Sequence, residues 1–214
     1  MRNSIKTSKS ESFESQIIVV GGGGAGLSAA VTAAEKGGRV VVLEKRRLLG
    51  GNTNMSYVMF GAETPFQKRM KIDVPRDFAF KLAMGYAHWK TDPRIVRAFI
   101  DKSGDTIRWL EEKGIEFEHM PNYYPDQVPR AFQIVKGGGA AMTKILFEEC
   151  KDLKVQFLYQ TAAQKILTNK KREVIGVLAI GKEKKVTIPG KSVIIATGGY
   201  AGSKAFMNKY CPDY

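Results

Sequence analysis

The sequence predicts an α/β fold with a parallel core sheet, inserted helices and a small antiparallel β addition. Near the start, an apolar run is followed by a glycine-rich turn, an alanine-rich helical stretch and a second apolar run, the order typical of a parallel βαβ unit. From Val155 onward the pattern changes to short β segments separated by turn residues. At 214 residues and 43% hydrophobic content, the chain is long enough to bury one sizeable core.

The first elements are a strand, a helix and a second strand. Gln16 to Val20 contains four consecutive aliphatic residues ended by glycine, which is typical of a central parallel strand. Ala25 to Lys36 is predicted to be helical, because it is rich in alanine and is followed by Gly37-Gly38 as a stop. Arg39 to Leu43 is the second buried strand. Such a βαβ order implies a right-handed crossover.

The middle of the chain is predicted to hold loops and helices. Gly50 to Pro65 has loop character, and His119 to Arg130, with three prolines, is expected to be an ordered loop at best. Asp92 is a plausible N-cap before Pro93, and Gly114 is a stop signal. The expected helices are Asp77 to His88, Pro93 to Leu110 and about Ala140 to Cys150.

The remainder is predicted to be mostly β structure. Asn169 to Arg172 is expected to be a hairpin loop. Ser192 to Ala196 is another apolar strand, closed by Thr197-Gly198-Gly199. The short β segments before it are Val155 to Leu158, Ala163 to Leu167, Val174 to Ile180 and Val186 to Ile188.

Charge and cysteine content restrict the function classes. The net charge is +13, but the basic residues are scattered and no aromatic residues are interleaved with them, so nucleic-acid binding is not expected. The short lysine runs are typical of turns and of sheet edges protected against pairing. Cys150 and Cys211 lie outside any metal or redox spacing, so we expect one buried thiol and one near the end of the chain, with no disulfide.

Residues 1–14 are expected to form a flexible tail before a domain over residues 15–214. This tail has no apolar segment of the kind found in export signals, and no run of the chain has the length of a membrane span. The expectation is therefore a cytoplasmic protein.

The stretch IIVVGGGGAGLSAA contains a G-x-G-x-x-G pattern made by Gly21, Gly23 and Gly26. The first glycine permits the tight turn after the strand, the second leaves room for a pyrophosphate, and the third allows close helix–strand packing. The amides around Gly24 and Ala25 would begin the helix and face the phosphates. The pattern lies between a strand and a helix, which is the context that a dinucleotide site requires.

Glu44 ends the second strand, near the roughly 20-residue offset expected for a carboxylate that binds a ribose hydroxyl. The alternative is a surface acid beside Lys45. Together with the glycine turn, Glu44 predicts a Rossmann-like dinucleotide site.

Five motifs occur in an order that resembles a known family. They are VVGGGGAGLSAA, VVVLEK, GGNT, a GGG before a helix, and IIATGGYAG. From about Ser15 to the end, the chain resembles the FAD-binding domain of the fumarate reductase and succinate dehydrogenase flavoproteins, particularly the soluble flavocytochrome-type enzymes and the ketosteroid dehydrogenases. A nicotinamide-binding module would explain the first turn and Glu44, but not the Asn52 and Thr197 loops.

The resemblance implies which residues bind the cofactor. Glu44 would bind the adenosine ribose with Lys45 beside it, and the main chain at Ala162 and Ala163 would meet the adenine, although these alanines could equally be an ordinary strand start. The remaining expected contacts are Gly21, Gly23, Gly24, Ala25 and Gly26 at the pyrophosphate, Gly51, Asn52 and Thr53 under the phosphates and flavin, and Thr197 and Gly198 after the third core strand.

The chain also departs from the family pattern. Members that attach flavin covalently use a histidine soon after the GGN-like loop, and residues 54–60 contain none, so dissociable FAD is expected. Relatives usually have small residues where Val58 and Met59 stand. These bulkier side chains, within the run Tyr57 to Phe60, could contact the flavin or pack as core.

No catalytic residue is predicted. His88 and His119 lack partners at meaningful spacing, and Arg130 is expected to be a solvated loop arginine. The resemblance implies that a capping domain and a C-terminal FAD segment supply substrate residues that have no counterpart in this sequence. The resulting hypotheses are the FAD portion of an oxidoreductase acting on CH–CH bonds, with a second chain as a candidate partner, a non-catalytic FAD-binding fragment, or an NAD-binding module.

Overall fold

The computed structural model describes residues 15–119, 130–181 and 184–213. The chain divides into two compact units. The first unit contains the residues up to Asn52 and from Phe147 onward, and the second unit is Thr53–Leu146. A 3₁₀ turn occupies Gly51–Met55. The α-helices of the described residues are α1 (Gly24–Glu35), α2 (Pro65–Arg69), α3 (Arg76–Tyr86), α4 (Pro93–Glu112), α5 (Gly138–Asp152) and α6 (Lys204–Tyr210).

In the described parts of the chain, the strands form a four-stranded sheet in the order β10-β1-β2-β6 and two three-stranded sheets in the orders β3-β5-β4 and β7-β8-β9. Their bounds are β1 (Ile17–Val20), β2 (Val40–Leu43), β3 (Val58–Phe60), β4 (Phe117–His119), β5 (Phe132–Val135), β6 (Gln156–Leu158), β7 (Thr161–Thr168), β8 (Val174–Gly181), β9 (Lys184–Pro189) and β10 (Ser192–Ile195).

The first unit is built on the parallel four-stranded sheet. β1 pairs in parallel with both β2 and β10, with Ile17 opposite Val40 on one side and Ser192 on the other. Leu27, Ala30 and Val31 of α1 are fully buried. The antiparallel β7-β8-β9 sheet contributes to the same core, which is formed by Ile18, Val41, Leu43, Val177, Ala179 and Ile188. Both predicted sheets are therefore confirmed.

The second unit combines the β3-β5-β4 sheet with α2, α3 and α4. Its buried cluster contains Ala62, Val74, Ala79, Ile100 and Ala131. Thr64 and Gln67 form a reciprocal capping box at the start of α2, which satisfies two amides that the first helical turn would leave unpaired.

Several local predictions are confirmed. Asp92 caps α4 by accepting the Arg94 N–H at 2.9 Å, and Gly114 follows the helix with φ +83°. Asn169 to Arg172 connects β7 to β8, with Arg172 N–H donating to the Asn169 carbonyl at 3.0 Å. Cys150 is a buried free thiol and Cys211 is a partly exposed one.

Other predictions about elements were wrong or incomplete. The loop predicted over residues 50–65 contains the 3₁₀ turn and β3, because Val58–Phe60 pairs antiparallel with β5. The helices α2 and α6 and the strand β5 were missed, since each is short and weakly periodic. His119, expected in a loop, belongs to β4, while the rest of that predicted loop up to residue 129 lies outside the described residues. Tyr57 is 69% exposed, whereas Val58, Met59 and Phe60 are partly buried and Phe60 packs against the buried cluster of the second unit.

Among the described residues, no helix combines the length and the apolar character that crossing a membrane would require.

Candidate functional site

The glycine turn has the geometry that the motif predicts. Gly21 continues from β1 with its N–H donating to the Leu43 carbonyl at 2.8 Å. Its φ of +107° is unfavourable for side-chain-bearing residues, and a Cβ there would lie 2.4 Å from the Ala196 oxygen. A Cβ on Gly26 would lie only 1.8 Å from the Gly21 oxygen. The first and third glycines are thus required by the turn and by the packing of α1 on β1.

The beginning of α1 has the character of an anion site. Gly23 is the N-cap and has extended backbone dihedrals, so no side chain caps the helix, and the first turn contains no acidic residue. Gly23 forms a parallel bridge with Gly50, and the Gly50 N–H donates to the Gly22 carbonyl at 2.7 Å. A helix start of this kind presents main-chain amides and the positive end of the helix dipole to a phosphate.

Glu44 is buried at the end of β2, with only 7% of its surface exposed. Its Oε2 accepts the Gly22 N–H at 2.9 Å, and its Oε1 accepts the Arg46 N–H at 2.8 Å. The neighbouring Lys45 is exposed. The alternative of a surface acid is therefore wrong, because two amides hold the carboxylate in one orientation beside the glycine turn. A carboxylate has about four lone-pair sites, so acceptor capacity remains for ribose hydroxyls.

Ala162 and Ala163 lie at the start of β7, next to the end of β2. The Thr161 N–H donates to the Glu44 carbonyl at 2.9 Å, which fixes β7 beside the carboxylate. Ala162 pairs with Ile180 and Ala163 with Ala179, so both alanines are also ordinary members of the sheet.

Thr197 and Gly198 follow β10 and are exposed. The Ala196 N–H donates to the Val20 carbonyl at 2.9 Å, so this segment begins next to the glycine turn. Gly198 has φ +79°, and a Cβ placed on it would meet nothing within 4 Å. Backbone conformation rather than crowding therefore favours glycine at this position.

The loop Gly51-Asn52-Thr53 crosses the boundary between the two units. Gly51 has φ +51° and follows Gly50, which is bonded to Gly22. Thr53 belongs to the second unit, where its carbonyl accepts the Ser56 N–H at 3.0 Å. Within the first unit, the glycine turn and Glu44 therefore lie at one end of the parallel sheet. The starts of three other predicted segments lie at the same end: Gly51-Asn52, Ala162-Ala163 and Thr197-Gly198.

Sequence reasoning missed the parts that Gly22 and Arg46 play through their main chains. Gly22 occupies a variable position of the motif, yet its amide holds Glu44, and a Cβ there would lie 2.4 Å from Leu49 Cδ2. The run of four glycines was the available signal. Arg46 contributes a backbone amide, which no side-chain pattern reveals.

No catalytic role is assigned to His88, His119 or Arg130. His88 and Arg130 are exposed, and His88 has φ +48° just after α3. Of His119, only the main chain, in β4, is described. No group of three or more His, Cys, Asp or Glu side chains that could hold a metal occurs in the described parts of the chain.

The site fits an adenine dinucleotide. The glycine turn bears no side chains between residues 21 and 24, the helix start supplies amides for a pyrophosphate, and the buried carboxylate matches a ribose diol. These features define a dinucleotide-binding α/β domain of the Rossmann type. The family model of the FAD binding domain matches residues 16–213, and the chain belongs to this family. FAD is accordingly the cofactor, against the hypothesis of an NAD-binding module.

Curated relatives agree with this assignment. The chain is 31% identical over 169 residues to the NADH:fumarate oxidoreductase of Klebsiella pneumoniae, covering 77% of this chain and 18% of the relative. It is 32% identical over 164 residues to the vinyl phenol reductase of Lactiplantibacillus plantarum, covering 75% of this chain and 33% of the relative. The chain thus spans about a fifth to a third of the length of these relatives.

Solved structures show the same fold. The open conformation of a flavocytochrome c3 fumarate reductase matches with a TM-score of 0.80 and 25% identity, over 92% of this chain and 36% of that one. A 3-ketosteroid-Δ4-(5α)-dehydrogenase from Rhodococcus jostii matches with a TM-score of 0.79 and 22% identity, over 94% of this chain and 49% of that one. The fold is that of the FAD-binding domain of fumarate reductase-like flavoenzymes.

Proposed function

We propose that this chain is the FAD-binding portion of an oxidoreductase that transfers hydride between flavin and an activated carbon–carbon double bond. The observation that carries the proposal is the buried Glu44 carboxylate, fixed by the Gly22 and Arg46 amides at 2.9 and 2.8 Å next to a helix start that no side chain caps. This arrangement provides an acceptor for the ribose and amides for the pyrophosphate at one end of a parallel sheet.

The names of the relatives support the reaction class. One is named for fumarate and another for vinyl phenol, and both compounds contain a carbon–carbon double bond. Bound flavin supplies the hydride chemistry, and the protein supplies binding and orientation. Residues 15–52 and 147–213 would hold the cofactor through Gly21 to Gly26, Glu44, Lys45, Gly51, Asn52, Ala162, Ala163, Thr197 and Gly198, and Thr53 would contact it from the adjoining loop.

We propose that the FAD is dissociable. Residues 54–60, which follow the GGN loop, contain no histidine that could form a covalent bond to the flavin. Binding would then depend on hydrogen bonds and on charge at the helix start, so dialysis or acid precipitation should release intact FAD.

Substrate binding is proposed to need further polypeptide, from a second chain or from a longer form of this one. The surface that would receive it is the aromatic patch, defined as Tyr200, Phe206 and Tyr210. Tyr200, Phe206 and Tyr210 have ring centroids 5.9–6.1 Å apart, and α6 contains no buried residue. All three aromatic side chains are exposed. Exposed apolar side chains that cluster in this way are typical of interaction sites.

A titration of the purified chain with FAD, followed by visible absorbance and flavin fluorescence, tests the cofactor site. Saturable binding is expected, with ADP competing because it shares the pyrophosphate and adenosine contacts. A chain shown to be folded by circular dichroism that binds neither FAD nor ADP would refute the proposal.

A complementation experiment tests the reaction. The chain is mixed with the remaining segment of a fumarate reductase relative, and reduction of fumarate by a reduced viologen dye is followed. Turnover that requires both components and is lost in Phe206→Ser supports the proposal. FAD binding without turnover in the mixture would favour a non-catalytic FAD-binding fragment.

A further inference from the structure

The start of α5 contacts the turn that contains Thr53, within the second unit. The Gly139 N–H donates to the Ser56 carbonyl at 2.6 Å, and the Ser56 N–H donates to the Thr53 carbonyl at 3.0 Å. After this turn, the Val135 N–H donates to the Tyr57 carbonyl at 2.9 Å. The Thr53–Ser56 turn is thus attached to α5 on one side and to β5 on the other.

Gly139 differs from the two glycines before it. Gly137 and Gly138 have φ values of +74° and +70°, so backbone conformation explains them, whereas Gly139 lies outside this left-handed region. A Cβ on Gly139 would lie 1.8 Å from the Thr53 oxygen and 3.0 Å from the Ser56 oxygen. Close approach of the Thr53 main chain is therefore what requires glycine at this position.

We infer that Gly139 is a positioning residue for Thr53 in FAD binding. The inference rests on the proposed function, because Thr53 is assigned to the flavin side of the cofactor there. Any side chain at residue 139 must displace the Thr53 carbonyl, because a Cβ at residue 139 would clash with a backbone oxygen, which cannot rotate away as a side chain can. The Thr53 turn would move, whereas the glycine turn and Glu44 lie in the first unit and keep their contacts. A side chain at residue 139 should therefore weaken the contacts to the flavin and leave the contacts to the adenosine unchanged.

Gly139→Ala is compared with Gly85→Ala, since Gly85 also lies in a helix and a Cβ there meets nothing within 4 Å. FAD and ADP affinities are measured for both variants by fluorescence titration, together with the visible circular dichroism of bound FAD. We expect Gly139→Ala to weaken FAD binding by about tenfold or more, since small displacements of positioned groups have large effects. ADP affinity should stay unchanged and the flavin dichroism should shift. Gly85→Ala should match the wild type in all three.

A double-mutant cycle with Thr53→Val tests whether the effect passes through Thr53. The double variant should bind FAD no more weakly than the weaker single variant. Amide hydrogen exchange at Ser56 provides a measurement that needs no ligand: Gly139→Ala should accelerate it, and Gly85→Ala should not.

Three results would overturn the inference: unchanged FAD binding in Gly139→Ala, an equal loss of FAD and ADP affinity, or additive effects in the cycle. In each of these cases the wild-type chain still binds FAD, so the proposed function stands. A wild-type chain that binds neither ligand would overturn both proposals together.

Discussion

Glu44 shows how the surroundings of one residue prepare it for the ribose-binding role proposed above. It ends β2, and burial would be costly for an unpaired carboxylate, yet two main-chain amides at 2.9 and 2.8 Å satisfy it. These amides come from Gly22, in the glycine turn, and from Arg46, two residues farther along. The carboxylate is thus oriented before any ligand binds, which lowers the ordering cost of binding.

Glu44→Gln should weaken the binding of both FAD and ADP. A glutamine offers one oxygen acceptor, so its NH₂ group would face either the Gly22 or the Arg46 N–H, and the charge-assisted bond to ribose is lost. Such bonds contribute about 1.5–3 kcal/mol, so we expect dissociation constants to rise by about tenfold to a hundredfold, measured by fluorescence titration. Glu112→Gln, an exposed residue at the end of α4, is the matched control, and equal affinities in both variants would contradict the assigned role.

Cys150 should be chemically inert in the folded chain. Its side chain is fully buried and its Sγ lies 3.8 Å from the Leu27 oxygen. Burial is the main cause that raises the pKa of the thiol to about 12, and the charge of Glu149 adds to the shift. With Ellman's reagent at pH 8, we expect one rapidly reacting thiol, Cys211, and a second only after unfolding. Rapid reaction of two thiols in the native chain would show that Cys150 is accessible.

The same thiol makes stability fall at high pH. Between the ordinary value of 9.0 and about 12, the folded state keeps the proton while the unfolded state loses it, so the free energy of unfolding decreases as pH rises. Urea denaturation at pH 8 and pH 10.5 should show a smaller decrease for Cys150→Ala than for the wild type. An identical decrease in both chains would contradict the raised pKa.

At the scale of elements, the contact between α1 and β1 depends on glycine, which has no side chain, at position 26. Gly26 is buried, and its Cα hydrogen faces the Gly21 oxygen, where a Cβ would lie at 1.8 Å. α1 carries Leu27, Ala30 and Val31 into the core, so moving the helix away from the strand affects the whole buried face. Gly26 is therefore a packing residue, in addition to its proposed place in the cofactor site.

Gly26→Ala should destabilise the chain, although alanine favours helix. Overpacking of this kind typically costs about 1–3 kcal/mol, while the gain in helix propensity is at most about 1 kcal/mol. We expect a lower Tm by differential scanning fluorimetry and a weaker FAD affinity. Gly85→Ala has the same chemical change without a contact, and its Tm should be equal or slightly higher. A Tm for Gly26→Ala at or above the wild-type value would disprove the packing argument.

Elements with a strong local signal, such as an aliphatic run or a cap and a stop, could be predicted, and elements without such a signal could not. β1, β2 and β10 are aliphatic runs and α4 has a clear cap and stop, so local signals were sufficient. β3 and β5 are short strands that pair with each other, β5 also pairs with β4, and α6 is seven residues long. Their formation depends on partners distant in sequence, which a local pattern does not contain.

At the scale of the whole molecule, the chain combines a cofactor site with an exposed aromatic patch and a net charge of +13. A ligand that binds only the folded chain raises the free energy of unfolding, and the increase grows with the logarithm of the ratio of ligand concentration to dissociation constant. The stability of this chain should consequently depend on which nucleotide is present.

FAD and ADP should both raise the Tm, whereas 2′,5′-ADP should not. At a hundredfold excess over the dissociation constant, the gain is about 2.7 kcal/mol, or about 5–10 °C for a domain of this size. A 2′-phosphate would meet the Glu44 carboxylate and be repelled. Differential scanning fluorimetry with each of the three ligands measures the change in Tm. Equal stabilisation by ADP and 2′,5′-ADP would show that the adenosine ribose does not bind at Glu44.

The sequence by itself determined the βαβ core, the glycine turn and the cofactor class, because these depend on residues close together in the chain and on side chains that must be absent. Only the tertiary structure decided that Glu44 is buried and bonded to Gly22, that Thr161 lies against the end of β2, and that Gly139 approaches Thr53. These contacts join residues between 22 and 117 positions apart or depend on main-chain amides, whose partners are set by the fold and leave no mark in the pattern of side chains.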